Sequence, residues 1–298
     1  MPGLVNKLTV FAPAKVNLHL AVKNKRTDGF HDLESVFLAV DFGDNLHFQL
    51  TEDENSAEIV MEGLKTEINA SDNIIFRAFS MFKVKTGFSG GLKVRVEKRI
   101  PLGGGLGGGS SNAAAVLLAL NKMTGFPLTL KALLETGAAL GSDVPFFIYE
   151  TPAAWVTGRG EHIMPVDIPP IILVLVNPGF SSGTAAAFKL LDEYRGSCGG
   201  VTAKEGTETP IDFSAAPASW QERFENDFLP VFPEREKSIY NGIISQLRTL
   251  GAEFANLSGA GSTCFGVFKD KEQAQQAAKT LRGKWGFVEQ TLIHSQLA

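Results

Sequence analysis

The chain has 298 residues, 44% of them hydrophobic, which is enough for one large or two medium domains around a substantial core. A formal net charge of −4 and a pI near 5.8 argue against a general nucleic-acid or anionic-membrane surface. No apolar run approaches the roughly 18 residues of a membrane span, the N-terminus lacks a signal-peptide core, and the two cysteines, Cys198 and Cys264, read as free thiols, so a cytoplasmic protein without a disulfide framework is expected.

Leu8–Val22 reads as a strand, with Val16, Leu18, Leu20 and Val22 on one face and Lys15, Asn17 and His19 on the other. The alternation places Lys15 and Asn17 together. Asn24–Gly29 is a polar turn ending in a residue suited to positive φ, and Leu33–Val40 and Leu46–Leu50 follow as further strands of a meander. Ser71, Asp72 and Asn73 can cap a helix over Ile74–Val84, which leads to the strand Gly91–Lys98. Beyond a glycine-rich segment lie helices over Ala113–Met123 and Thr129–Leu140, and Gly141-Ser-Asp-Val-Pro145 stops the second of them ahead of Phe146–Tyr149. Ala153–Thr157 and Ile163–Val166 bracket a Gly-Arg-Gly-Glu turn, and the first domain is expected to span residues 1–166.

The second domain, residues 167–298, starts with a buried-type strand over Ile171–Val176 and a helix over Thr184–Tyr194. Gly196–Ala218, rich in Gly, Ser, Thr, Ala and Pro, is expected to be a mobile loop with little secondary structure. Helices over Ile239–Leu250 and Lys271–Arg282 flank Phe254–Asn256, a second glycine-rich turn and the strand Thr263–Phe268. Strands and helices in this order predict an α+β layer of ferredoxin-like type.

The most informative segment is Pro101-Leu-Gly-Gly-Gly-Leu-Gly-Gly-Gly-Ser-Ser-Asn112, which puts six glycines into seven positions between a strand and a helix. Glycine lets the backbone approach an anion and adopt φ > 0, while the free N–H groups of the following helix attract negative charge. A tight strand-to-helix corner is the competing reading. The lysine that ends a Walker A loop is absent, because Gly109 is followed by Ser110 and Ser111. The spacing Gly103, Gly105, Gly108 satisfies a dinucleotide-binding pattern, yet a second helix follows in place of the parallel strand that pattern needs, and no acid appears before Glu135. The loop suits a nucleoside triphosphate held by backbone amides.

Five segments, Ala12-Pro-Ala-Lys-Val-Asn-Leu18, Arg26-Thr-Asp-Gly-Phe-His31, Pro101–Asn112, Gly141-Ser-Asp-Val-Pro145 and Ser258-Gly-Ala-Gly-Ser-Thr263, resemble in order and spacing the GHMP kinases. The Arg-x-Asp-Gly-aromatic-His segment is closest to the branch whose acceptor is a cytidine-diphosphate-linked branched tetritol of the methylerythritol phosphate route to isoprenoids. The resemblance implies a two-domain α+β fold, an N-terminal ribosomal-protein-S5-domain-2-like part and a C-terminal ferredoxin-like part with the active site in the cleft between them. It also implies an ATP-dependent phosphotransferase. Mg²⁺ would arrive with ATP, since no carboxylate cluster for dedicated ligation is visible and no protein metal ligand is assigned. Partners are expected to be small molecules, with no nucleic acid and no membrane, and the chain a monomer or weak homodimer.

Carried onto this sequence, the resemblance makes Asp143 the base that takes the acceptor's proton and Lys15 the cation that pairs with it and steadies the transferring phosphoryl oxygens. Read alone, Lys15 is also a solvated strand lysine and Asp143 a helix-terminal hydrogen-bonding group. Asn73 and Lys98 match positions near the adenosine, and Pro101, Gly103, Gly104, Gly105, Leu106, Gly107, Gly108, Gly109, Ser110, Ser111 and Asn112 would wrap the phosphates. His31 matches a reader of the cytosine edge, Phe188, four residues after Thr184, a stacking ring opposite Phe30, and Asn17 a contact to the sugar-like part. Phe30 stands where these kinases usually have tyrosine, and Gly259-Ala-Gly261 where Gly-Ser-Gly is usual, each losing a hydroxyl. Other readings remain beside these: a homoserine or mevalonate type of kinase, a non-catalytic nucleotide-binding relative, a core phenylalanine at 188 and a turn-capping His31.

Overall fold

The computed structural model describes residues 6–53, 57–63, 73–197, 213 and 216–294. Strands β1 (Lys7–Lys25) and β2 (His31–Thr51) form one long antiparallel pair around the turn at Arg26–Phe30, where Gly29 takes φ 85°. The two strands expected over residues 33–50 are one. A register shift between Pro13 and Ala14 absorbs the bend, and Gly43 there lies so close to Ala12 that a Cβ would come 2.9 Å from its carbonyl carbon. The other edge of β2 is shared: Asn45–Thr51 pairs with β4 (Gly91–Glu97) and Leu33–Leu38 with β5 (Ala153–Gly158). β3 (Ala57–Glu62), which carries no strong sequence signal, runs parallel to β4, and β6 (His162–Pro165) closes the sheet beside β5.

Four helices cover one face of this sheet: α1 (Ile74–Thr86), α2 (Gly108–Met123), α3 (Leu130–Leu140) and α4 (Val144–Tyr149). Asn73 Oδ1 accepts from Ile75 N at 3.0 Å and Thr129 Oγ1 from Ala132 N at 3.3 Å, so both N-caps use side-chain oxygens. Ala113, Ala114 and Ala119 let α2 lie deep against the sheet with Val116, Leu117 and Leu120 fully buried. α2 begins at Gly108, inside the glycine segment and ahead of the expected Ala113, because a buried helix carries the cost of glycine in its first turn. Residues 144–149, to which the sequence reading gave no element, are helical because Pro145 sits at a helix start, where its missing N–H is harmless.

The C-terminal half folds as β7 (Ile172–Asn177), α5 (Thr184–Ser197), α6 (Glu234–Thr249), β8 (Phe254–Leu257), β9 (Cys264–Phe268), α7 (Lys271–Arg282) and β10 (Phe287–Leu292). Its strands are all antiparallel in the order β10-β7-β9-β8, a ferredoxin-like arrangement completed by a strand, β10, that the sequence reading did not include. Of the loop expected over Gly196–Ala218, residues 198–212 and 214–215 lie outside the described residues; Gly196 and Ser197 finish α5, and Pro217–Glu222 is a 3₁₀ turn anchored by buried Trp220.

The two sheets share a core. Val16, Leu18, Val36 and Leu38 of the first meet Leu173, Leu175, Phe254, Phe265 and Val267 of the second, while Val174 and Val176 point the other way, into the layer of α5, α6 and α7. Period-two burial on both faces makes each sheet a middle layer. Among the described residues no helix is long and apolar enough to cross a membrane. Trp220 stacks edge-on and tilted against Phe213, Phe224 and Phe254 in the shared core, so Trp220→Ala is expected to destabilise the chain by about 3–5 kcal/mol, read as a lowered denaturation midpoint in urea with the slope unchanged.

Candidate active site

Every carbonyl from Gly103 to Gly107 accepts a hydrogen bond from a different place. Ser182 N donates to Gly103 O (2.8 Å), Thr263 N to Gly104 O (3.1 Å), Ser258 Oγ to Gly105 O (2.9 Å), Lys15 N to Leu106 O (3.0 Å) and Ser111 N to Gly107 O (2.9 Å). With the carbonyls fixed, the peptide planes are fixed. Gly103, Gly105 and Gly107 hold φ of 62°, 74° and 68°, and Gly107 caps α2 in the left-handed region without a side chain. Among the described residues no acceptor takes the N–H groups of Gly108, Gly109 and Ser110, which form the free first turn of α2.

The six glycines do two jobs. A Cβ on Gly104 would come 3.0 Å from Thr263 Oγ1, and one on Gly105 would overlap the Ser258 carbonyl and come 2.8 Å from Gly261 O, so this half of the loop is packed against the second glycine turn across the domain seam. A Cβ on Gly107 would meet Lys15 Cγ at 2.9 Å and one on Gly108 would meet Ile100 Cγ2 at 2.8 Å. Gly109 alone in the run faces open space, with Ile74 Cγ2 its nearest neighbour at 3.9 Å.

Lys15, only 3% exposed, sits directly beneath the loop. Its ammonium lies 3.2 Å from Asp143 Oδ2, donates to Asn17 Oδ1 at 2.7 Å and rests 4.5 Å from the Phe37 ring centroid. Asn17 is fixed in turn: its Nδ2 donates to Ser35 Oγ (2.9 Å) and its backbone N–H to Ser258 Oγ (3.3 Å). Asp143 is the N-cap residue of α4, makes no capping bond, and keeps 29% of its side chain exposed, so its carboxylate is both paired and reachable. The structure therefore brings Lys15, Asn17 and Asp143 together at the foot of the glycine loop.

Lys98 and Asn73 flank the same helix start. A Cβ on Gly108 would lie 3.0 Å from Lys98 Nζ, and Asn73, the α1 N-cap, precedes the Ile74 that neighbours Gly109. Lys98 is ion-paired with Asp44, a fully buried carboxylate absent from the sequence reading, which also accepts from Arg99 N (2.8 Å) and Ile100 N (2.9 Å). Burial depresses the Lys98 pKa, and Asp44 opposes that shift. The only sequence signal for Asp44 is an acid inside an apolar strand. Ser111 Oγ and Asn112 Oδ1 are buried without a hydrogen-bond partner at the head of α2. Among the described residues no group of three or more His, Cys, Asp or Glu could hold a metal ion. The unpartnered Ser111 Oγ and Asn112 Oδ1 and the partly exposed Asp143 carboxylate are oxygens of the kind a hard cation takes.

At the other end of β1 and β2, His31 and Phe188 stack at 5.2 Å with their planes 19° apart. His31 Nε2 bonds Asp192 Oδ1 at 2.8 Å, and Lys25 Nζ bonds Asp192 Oδ2 at 2.7 Å. Desolvation pushes the Asp192 carboxyl up, but these two bonds outweigh it and leave it below the ordinary range. Asp192 was not foreseen, although one helical turn after Phe188 is where a partner for His31 would fall. Phe188 lies directly on the His31 ring and edge-on to Phe228, and Phe30 points elsewhere, with the Arg159 guanidinium 3.6 Å above it. The expected sandwich of a base between Phe30 and Phe188 is thus not preformed. Thr184 opens α5, exposed, on the same side as Phe188. Gly259 (φ 56°) and Gly261 (φ 79°), which the resemblance places among the acceptor-binding residues through their backbone amides, pack under the glycine loop, and the Gly261 N–H donates to Ser258 O at 2.9 Å, so that amide is already engaged.

The family models for the GHMP kinases N terminal domain and the GHMP kinases C terminal match residues 73–151 and 221–286. A curated protein of Syntrophotalea carbinolica named 4-diphosphocytidyl-2-C-methyl-D-erythritol kinase is 39% identical over 93% of this chain and 95% of its own length. The chain belongs to the GHMP kinases, in that branch. A crystal structure of 4-(cytidine 5'-diphospho)-2C-methyl-D-erythritol kinase matches this GHMP kinase with a TM-score of 0.78 and 30% identity, covering 97% of this chain and 100% of the other. A homoserine kinase from Cytophaga hutchinsonii, at 17% identity, a TM-score of 0.72 and coverage of 99% and 98%, shares the fold alone.

Two glycines of the kinase separate packing from ligand binding. Gly105→Ala is expected to lower the melting temperature strongly, because the methyl group meets the Ser258 and Gly261 carbonyls and φ is positive. Gly109→Ala is expected to leave the melting temperature unchanged or raise it, since the site is open and alanine is the better helix former by about 1 kcal/mol. Calorimetric scans of the two variants beside the parent check this pair.

Proposed function

We propose that the chain transfers the γ-phosphoryl group of ATP to the 2-hydroxyl of 4-(cytidine 5'-diphospho)-2-C-methyl-D-erythritol. The observation that carries this reading is the fixed loop: five anchored carbonyls turn the amide edge of α2 outward immediately above the Lys15–Asp143 pair. That edge suits the phosphates of a nucleoside triphosphate. Asp143 accepts the proton of the acceptor hydroxyl as it attacks, and Lys15, already 3.2 Å from the carboxylate, balances charge on the transferring oxygens. Asn17 holds the lysine in place through its own bond to Ser35. Mg²⁺ bound with ATP would neutralise phosphate charge, and the Ser110 and Ser111 hydroxyls and the Asn112 amide oxygen at the head of α2 would be available to hold it.

The stacked His31 and Phe188 support a nucleobase-bearing acceptor over homoserine or mevalonate, which carry no ring to receive. Both ligands are then soluble nucleotides, which supports a cytoplasmic enzyme with small-molecule partners. We place the domain boundary between residues 166 and 167, since β6 ends at Pro165 in the first sheet and β7 opens the second at Ile172.

An ADP-release assay with the cytidyl acceptor, homoserine and mevalonate tests the reading: only the first should support turnover, and equal or greater turnover with either of the others would overturn it. Asp143→Asn should lower kcat by about 10² or more while ATP still binds. Lys15→Met, which keeps the buried stem and removes the charge, should lower kcat more than it raises KM for ATP. Gly109→Ala should weaken ATP without loss of fold, because its methyl group covers the open helix start; unaltered ATP affinity by calorimetry would put the phosphates elsewhere.

A further inference from the structure

Arg159 stands in the turn between β5 and β6, and its guanidinium carbon lies 3.6 Å from the centroid of the Phe30 ring. Both ends of this contact are anchored. The Arg159 backbone N–H donates to Glu161 Oε2 at 2.6 Å, and the next residue, Gly160 (φ 127°), abuts Ser142 so closely that a Cβ would come 3.0 Å from its carbonyl carbon. Ser142 precedes Asp143, and Phe30 precedes His31. The cation is therefore held between the chain neighbours of Asp143 and of His31.

Among the described residues its guanidinium has no ion-pair partner. Arg159 Nε is buried with no hydrogen-bond partner, and among the described residues no carboxylate lies within ion-pair distance of the guanidinium. Asp28 feels it only at longer range: that carboxyl is held below its ordinary range first by the Phe30 N–H, against some desolvation, then by Arg26, and last by Arg159. An arginine laid flat on a ring keeps its edge of N–H donors for a planar or multidentate anion, and a partly buried cation without a partner gains most from one.

We propose that Arg159 is a specificity-determining residue for the acceptor, stacked on Phe30 so that its guanidinium edge donates to the diphosphate joining the nucleoside to the tetritol. The inference rests on the reading of the acceptor as a cytidine-diphosphate-linked alcohol. It gives Phe30 a role as the platform that aims the guanidinium, with its phenyl face carrying the cation where a base was expected.

Calorimetric titration of the full chain with cytidine, CDP and ADP tests it, using Arg159→Met and Arg159→Lys, each checked for an unchanged melting temperature. The parent should bind CDP more tightly than cytidine. Arg159→Met should lose about tenfold or more on CDP, with cytidine and ADP nearly unchanged, and Arg159→Lys should recover part of that loss by charge alone. Equal losses on cytidine and CDP would make Arg159 a prop for the base site, a loss on ADP would move it to the donor phosphates, and no loss would leave it outside both; each overturns the proposal. Turnover of the cytidyl acceptor by the parent is measured alongside. If the parent does not turn it over, the functional reading falls and the proposal with it; if it does and the CDP preference survives in Arg159→Met, the proposal alone falls.

Discussion

The anchoring of five consecutive carbonyls, Gly103 to Gly107, is the constraint from which the rest of the site follows. Their donors come from β1, from the turn after β7, from the second glycine turn and from α2 itself, so the loop is at once the seam between the two sheets and the floor beneath the free amides of α2. Six glycines would cost a free loop about 0.5–1 kcal/mol each, and five hydrogen bonds at roughly 1 kcal/mol each offset most of that. The balance has a functional side. A loop held by its acceptors cannot turn its donors inward, so the first-turn amides of α2 stand ready without reorganisation when charge moves past them.

Buried charge is managed in pairs around that floor. Lys15 has Asp143 and the Asn17 oxygen, and Lys98 has Asp44, which also receives the two backbone N–H groups that steer β4 into the loop. A lysine close to the positive end of a helix dipole is unfavourable by itself, and a buried one without a partner costs several kcal/mol more. Asp44 meets both costs at Lys98. The difference between the pairs is access: Asp44 is sealed, whereas Asp143 remains partly open toward the loop. The open pair keeps a carboxylate that a ligand can reach, and the sealed pair holds backbone in place.

The turn between β1 and β2 is built differently. His31 is tied by Asp192 to α5, Phe188 lies on its ring, and Phe30 faces outward under Arg159. One hairpin turn thus carries the imidazole to one side and, to the other, the ring on which Arg159 of the β5–β6 turn rests. Asn226, donating to Leu257 O at 2.8 Å and Gly259 O at 2.9 Å, links this region back to the glycine seam.

Much of the architecture was legible because its signals are local. Period-two alternation marked β1, the capping oxygens at Ser71–Asn73 marked one helix start, and glycine density marked the loop. The ferredoxin-like layer followed from element order, although β10 and β3 did not, since neither alternates strongly enough to stand out. Lys15, Asn17 and Asp143 were named from motifs before any geometry, and the structure places them within one hydrogen-bonded group. Other features were beyond local reading. Glycine in a sequence says only that a side chain is not tolerated; whether Gly105 makes room for phosphate or for the Ser258 carbonyl depends on a residue 153 positions away. Asp44, Asp192 and Arg159 likewise acquire their roles from Lys98, His31 and Phe30, partners brought beside them only by folding. The sequence by itself determined which backbone and chemical groups are available, because propensity and residue chemistry are local; the tertiary structure alone decided which of them face each other, because burial and pairing of charge are settled by contacts between distant segments.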